Sequence, residues 1–168
     1  IGDAKESLQA LDLFFKDQNI AYVTIFGTLL GCERNHALFS YDNDIDIAIH
    51  EADLPHLAAC IPALLATGFV IVELGWSVIK LRSIPSDCHI DIWVIEPAPK
   101  LLQFVLGKRW RVDHALFSRD YFNIDLITQQ SCYDYQVSVP YKASLLLEEW
   151  YGKHWKTPQK NAFAEYKP

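Results

Sequence analysis

The chain has 168 residues, 51% of them hydrophobic and 21% charged, with a formal net charge of -6. That size and balance fit a single domain, residues 1–168, with a real core. The negative balance and the lack of any lysine or arginine run exclude a protein that grips long nucleic acid by its phosphates, and no apolar run is long enough to span a bilayer.

In chain order, Asp3 and Glu6 predict a capping box opening a helix with Leu8, Leu11, Phe14 and Phe15 as its apolar stripe. Ala21 to Phe26 reads as a short strand running into Gly27-Thr28-Leu29-Leu30-Gly31. Strand, glycine turn and helical start make a candidate phosphate seat. Gly27 lets the backbone approach a ligand closely, and the Thr28 hydroxyl and the first helical amides can donate to phosphate oxygens. Arg34 falls in a polar loop with Asn35 and His36, where its guanidinium either clamps a phosphate or faces solvent.

The stretch Tyr41-Asp42-Asn43-Asp44-Ile45-Asp46-Ile47-Ala48-Ile49 carries the strongest signal. From Asp42 to Asp46 every second residue is a carboxylate, while Ile45, Ile47 and Ile49 occupy the other face, which is the period of a strand lying on a core. Three carboxylates on one face repel one another unless a cation relieves them, so Asp42, Asp44 and Asp46 are candidate metal ligands. A calcium loop of the EF-hand kind is excluded by Ile47 where it needs glycine and by Asp53 where it needs glutamate.

Further on, Asp53 and Pro55 predict the start of a helix with Leu57, Ala58, Ile61, Leu64 and Leu65 buried, kinked or divided by Pro62. Strands Phe69 to Leu74 and Trp76 to Arg82 form a hairpin at Gly75; Lys80 and Arg82 share a face of the second and are candidates to contact a phosphate, or are ordinary edge-strand cations. Cys88 to Ile95 is a strand with Ile90, Ile92 and Val94 on one face and His89, Asp91 and Trp93 on the other. An acid in so apolar a strand is costly to bury alone; Asp91 is expected beside the Asp44/Asp46 strand, as a third ligand or as a base. Leu101 to Asp113 reads as a hairpin presenting Lys108, Arg109 and Arg111 near the site, 115–139 as short-stranded, and Pro140 as the start of a helix burying Leu145, Leu146, Leu147 and Trp150 and capped at Gly152. Cys32, Cys60, Cys88 and Cys132 stand at neither zinc-finger nor redox spacing and read as buried free thiols, with widely spaced disulfides as the alternative. The chain begins at Ile1, lacks methionine and shows no signal peptide, the pattern of a trimmed or processed fragment.

The run Gly27-Thr28-Leu29-Leu30-Gly31, then Arg34, then Asp42-Asn43-Asp44-Ile45-Asp46-Ile47 resembles the signature of the LicD family of phosphocholine transferases, to which fukutin and fukutin-related protein are also similar. Val139-Pro140, the leucine-rich helix, and Tyr151-Gly152 with Trp155 and Pro158 resemble that family's C-terminal motif. Tyr41-Asp42-Asn43-Asp44 departs from the family's usual Trp-Asp-Asp-Asp but keeps the alternating acids, and the chain is shorter than most members. The resemblance implies an α/β (α+β) nucleotidyltransferase-like fold, a mixed sheet flanked by helices with a helical or irregular C-terminal segment. It further implies Mg²⁺, or Mn²⁺ in its place, on Asp44 and Asp46 with Asp42 nearby, and Asp91 at the third acidic strand. The expected reaction moves phosphocholine or an alditol phosphate from a CDP-linked donor to a glycan or glycoconjugate hydroxyl, releasing CMP. Transfer of the nucleotide itself, and a non-catalytic metal- or nucleotide-binding domain, are the alternatives. Bacterial members imply a cytoplasmic, membrane-peripheral setting and the fukutin-like ones the secretory lumen.

Overall fold

In the computed structural model, which describes residues 4–117 and 120–158, the acidic segment is the second strand of a mixed sheet. Helix α1 (Ala4–Asp17) buries Leu8, Leu11, Phe14 and Phe15; the cap expected at Asp3 lies outside the described residues. Asp12, buried on this helix, takes an ion pair from Lys16 at 2.7 Å and a hydrogen bond from the Tyr22 hydroxyl at 2.6 Å. That bond pins α1 to β1 (Tyr22–Thr24), which is shorter than the expected strand because Phe26 already opens α2 (Phe26–Asn35). Arg34, expected in a loop, therefore stands in the last turn of α2.

His36, in the left-handed region at φ 52°, ends α2 and turns the chain back along it. The return loop lies so close that a Cβ at Gly31 would meet the Ala37 carbonyl at 2.7 Å, and one at Gly27 would meet Asp42 Oδ2 at 2.8 Å. Four residues apart, these glycines share a helix face; the loop that carries Asp42 passes along it. Strand β2 (Asp44–His50) begins two residues later than the alternation suggests, leaving Asp42 in the preceding turn.

After a short turn, α3 (Leu54–Ala66) runs unbroken through Pro62. Pro62 does not divide the helix: Pro62 and Ala58, whose carbonyl loses its partner, are both exposed, so water can satisfy that carbonyl. Leu57 and Leu64 are buried, whereas Ala58 and Leu65 face solvent, contrary to expectation. The hairpin β3 (Phe69–Leu74) and β4 (Val78–Ser83) leads to β5 (His89–Pro97), giving the strand order β1-β2-β5-β4-β3. Strands β2 and β5 are parallel, and the other neighbours antiparallel. Ile45, Ile47, Ile49, Ile90, Ile92 and Leu81 are buried in the core with the helical side chains.

Residues 101–113 do not form the expected hairpin: they supply α4 (Lys100–Leu106) and β6 (Trp110–Val112), which pairs with the end of β5 and with β7 (Ala115–Phe117). Arg109 there pairs with Asp120 and Arg111 with Glu96, at the opposite end of β5 from Asp91, so neither reaches the acids. A second hairpin, β8 (Thr128–Cys132) and β9 (Tyr135–Val139), packs beside β1, and α5 (Ala143–Tyr151) packs against α2. Leu146 and Leu147 of α5 are buried and Gly152 follows its last turn, as expected, but the helix opens at Ala143 instead of Pro140, Leu145 is exposed and Trp150 only half-buried. Cys32 and Cys132 form a disulfide between α2 and β8 with Cα atoms 5.0 Å apart, which corrects the reading of these two as free thiols; Cys60 and Cys88 are free. Among the described residues no helix is long and apolar enough to cross a membrane.

Candidate active site

The pairing of β2 with β5 decides the site. Register sets Asp46 opposite Asp91 and Asp44 opposite His89, and on the far side of β5 sets Lys80 opposite Asp91 and Arg82 opposite His89. One sheet face thus carries a row Asp46, Asp91, Lys80, Glu73, because directly paired residues point the same way. Asn43, Asp44, Lys80, His89 and Asp91 line a cleft of about 440 Å³ over this row.

Each carboxylate has a different setting. Asp44 is exposed, while Asp46 is only 9% exposed and its Oδ1 accepts a hydrogen bond from Trp93 Nε1 at 2.9 Å. Burial, opposed by that indole bond and reinforced by the charges of Asp44 and Asp91, pushes Asp46 up to about 7. Asp42 rises to about 8 through burial, a side-chain hydrogen bond with Asp44 and the charges of Asp44 and Asp46. Asp91 is also raised by burial, against the pull of Lys80. The free thiol of Cys88 lies in the same field and is pushed up to about 12 by burial and by Asp44 and Asp42, which keeps it protonated.

Among the described residues no three acidic, imidazole or thiol side chains converge into a ready-made metal cage. What the fold brings together is Asp42 and Asp44, and the closeness of Asp44 adds to burial in raising Asp42. A hard divalent cation would suit that position, since its charge would relieve the repulsion between the carboxylates. The expected ligands Asp44 and Asp46, with Asp42 nearby, stand within one another's field, and Asp46 is anchored by Trp93.

The glycine-turn residues also sit differently from expectation. Thr28 is 1% exposed, and its Oγ1 accepts the Asp46 N–H at 2.9 Å; the hydroxyl ties α2 to β2 instead of facing a ligand. The space beside Gly27 is filled by the Asp42 carboxylate. Leu29 N–H reaches Ile25 O at 3.1 Å, so the earlier amides of α2 point out of the helix start near the acids. Arg34 does not line the cleft: it lies roughly 10 Å along α2 from Gly27, its guanidinium 5.2 Å from the Phe39 ring and its Nε enclosed without a hydrogen-bond partner. Lys80 does line the cleft, with Glu73 at 3.6 Å.

Trp93 is the residue that sequence reasoning missed. Its place on the face of Asp91 was legible from alternation, but its role as donor to Asp46 depends on pairing with β2. The Trp93 ring meets Phe26 edge-on at 5.5 Å, and Phe26 in turn lies 4.8 Å from Trp150 of α5. Phe26 has φ 47°, an uncommon conformation for so bulky a residue. Trp93→Phe keeps the packing and removes the donor. We expect turnover to fall about ten- to a hundredfold and the acidic limb of the pH profile to move to higher pH, because the lost bond favoured ionised Asp46. An unchanged pH profile would show that the indole does not set the state of Asp46.

The raised carboxylates also fix a pH dependence of stability. Unfolded aspartates titrate near 3.9, so between about pH 4 and 8 the metal-free folded chain binds more protons than the unfolded one, and stability falls as pH rises through that window. Without divalent ions the Tm should be several degrees lower at pH 8 than at pH 5, and Mg²⁺ should recover most of the loss. A Tm that climbs over the same range would contradict the crowding of Asp42 and Asp46.

Comparison with known proteins gives two findings. The family model described as LicD/FKTN/FKRP, nucleotidyltransferase domain, matches residues 19–142, which spans Asp42, Asp44, Asp46 and Asp91. The chain is also similar in structure to ANT(2")-Ia, solved in complex with adenylyl-2"-tobramycin, with a TM-score of 0.54 and 12% identity over 87% of this chain and 74% of that one. At that identity the likeness speaks to the nucleotidyltransferase-like fold. No curated protein matches the chain.

Proposed function

Because the chain belongs to the LicD/FKTN/FKRP nucleotidyltransferase family, and so among transferases, we propose that it moves a substituted phosphate, phosphocholine or an alditol phosphate, from a CDP-activated donor to a glycan hydroxyl and releases CMP. The observation that carries the reading is the pairing of Asp46 with Asp91 beside the mutually repelling carboxylates of Asp42 and Asp44. Asp42 and Asp44 would hold Mg²⁺, or Mn²⁺ in its place, with Asp46 alongside. When bound, the ion supplies charge neutralisation at the transferring phosphate.

The protein's own groups do the rest. Asp91, raised by burial, is the better base for it and takes the proton of the attacking hydroxyl as the new P–O bond forms and the bond to CMP breaks. Lys80, in the same row, offsets the negative charge that develops on the leaving group. Trp93 holds one oxygen of Asp46 and so fixes the direction of the other. Gly27 supports the site by making room for Asp42.

Calorimetric titration of CDP, CDP-choline, CDP-ribitol and ATP, each with and without Mg²⁺, tests the proposal. Mg²⁺-dependent binding of cytidine nucleotides supports it, and the tighter donor names the head group. Binding of ATP alone would move the assignment to transfer of the nucleotide itself, and binding without turnover on any acceptor to a non-catalytic module.

A further inference from the structure

A second feature, remote from the acids, stands out at the far end of β5. There the chain leaves the sheet at Ala98 and returns at Arg109, and the two are clamped by Ala98 N–H donating to Arg109 O at 2.9 Å. Lys108 N–H bonds back to Leu102 O at 3.2 Å and Gln103 Nε2 to Ala98 O, so the excursion is closed on itself. It contains α4, which buries none of its residues. Phe104 is 91% exposed and Leu101 70%, with Val105 and Leu106 also exposed. This is a finger whose base is held by the backbone and whose tip is apolar. The β3–β4 turn stands at the same end of the sheet, since Val94 N–H donates to Ser77 O at 2.8 Å, and it presents Trp76 at 98% exposure.

We propose that this finger enters an anionic lipid surface. Two observations select lipid over a protein groove. At about 100° per residue, Leu101, Leu102, Phe104, Val105 and Leu106 spread over roughly 200° of the helix, with Lys100 and Gln103 on the remaining side. A helix that docks in a groove needs one stripe of about 100°; an apolar face about twice as wide, with a lysine on the remaining side, suits partial immersion at an apolar surface. The second observation is charge. Lys100 and Lys108 flank the apolar residues at the base, where lipid headgroups would meet them, in a chain whose net charge of -6 would otherwise be repelled. The neighbouring cations Arg109 and Arg111 are paired with Asp120 and Glu96, which leaves the two lysines to act. The inference stands independently of the catalytic reading.

The test is co-sedimentation of the 168-residue chain with vesicles of phosphatidylcholine alone or mixed with phosphatidylglycerol. Binding to the mixed vesicles is expected, weakened at least about tenfold by Leu101→Asp with Phe104→Asp. Lys100→Glu with Lys108→Glu should remove the preference for the mixed vesicles. All four positions are exposed or at the base of the finger, so an unchanged Tm in each variant verifies the fold. Failure of the wild-type chain to sediment with any vesicle would overturn the proposal. So would binding that the double aspartate variant retains, or a self-association in solution that the same variant abolishes, which would assign the finger to a second copy of the chain.

Discussion

Replacing Asp44 and Asp46 together by asparagine is expected to lower turnover by on the order of a thousandfold or more and to abolish Mg²⁺-dependent nucleotide binding. The amide keeps the size of the carboxylate but carries no charge, so the pair Asp42–Asp44 loses one of its two anionic members and Asp46 can no longer offer a charged oxygen opposite Asp91. Stability should move the other way. Asp44 and Asp46 raise the protonation of Asp42 by repulsion, so the variant sheds a destabilising interaction and its Tm at pH 8 should equal or exceed that of the parent chain. Loss of activity with a maintained or raised Tm separates a catalytic role from misfolding. Substantial turnover in the double variant would remove the acidic row from the mechanism.

Cys32→Ala with Cys132→Ala is expected to cost about 2–5 kcal/mol of stability. The two cysteines are 100 residues apart in sequence and both fully buried, so the bridge constrains most of the unfolded chain while resting in the packed region between α2 and β8. Reductant should lower the Tm of the parent chain by a comparable amount and leave the variant unaffected. Activity should change much less than stability. The catalytic end of α2 is held separately, by Thr28 Oγ1 on the Asp46 amide and by Asp42 against Gly27. Identical melting with and without reductant would mean that the bridge contributes nothing in solution.

Several misreadings of the sequence share a cause. Gly27 and Thr28 look, in isolation, like a phosphate seat, because glycine and hydroxyl residues before a helix serve that purpose elsewhere. In the folded chain Gly27 admits Asp42 and the Thr28 hydroxyl holds Asp46, so both position the acids, while the free amides at the start of α2 lie beside them. Arg34 looked like a loop cation because the helix was expected to be one turn long; Gly31 permits the close return loop, and α2 continues to Asn35. The 101–113 segment reads as a hairpin presenting Lys108, Arg109 and Arg111 near the site, but these cations stand at the opposite end of β5 from Asp91. In each case the local pattern was compatible with two environments, and a distant segment chose between them.

The alternation of aspartate and isoleucine from Asp44 to Ile49 by itself determined that a strand forms here, which side faces the core and which carries acid, and the same reasoning set Asp91 against Ile90 and Ile92. Side-chain period is a property of the backbone and needs no partner to be read. Only the tertiary structure decided that β2 and β5 run side by side with Asp46 against Asp91, that Trp93 donates to Asp46, that Asp42 returns to Gly27, and that Cys32 meets Cys132. Those choices depend on burying apolar faces drawn from the whole chain, and a one-residue change of register, invisible in either strand alone, would have turned every acid into the core.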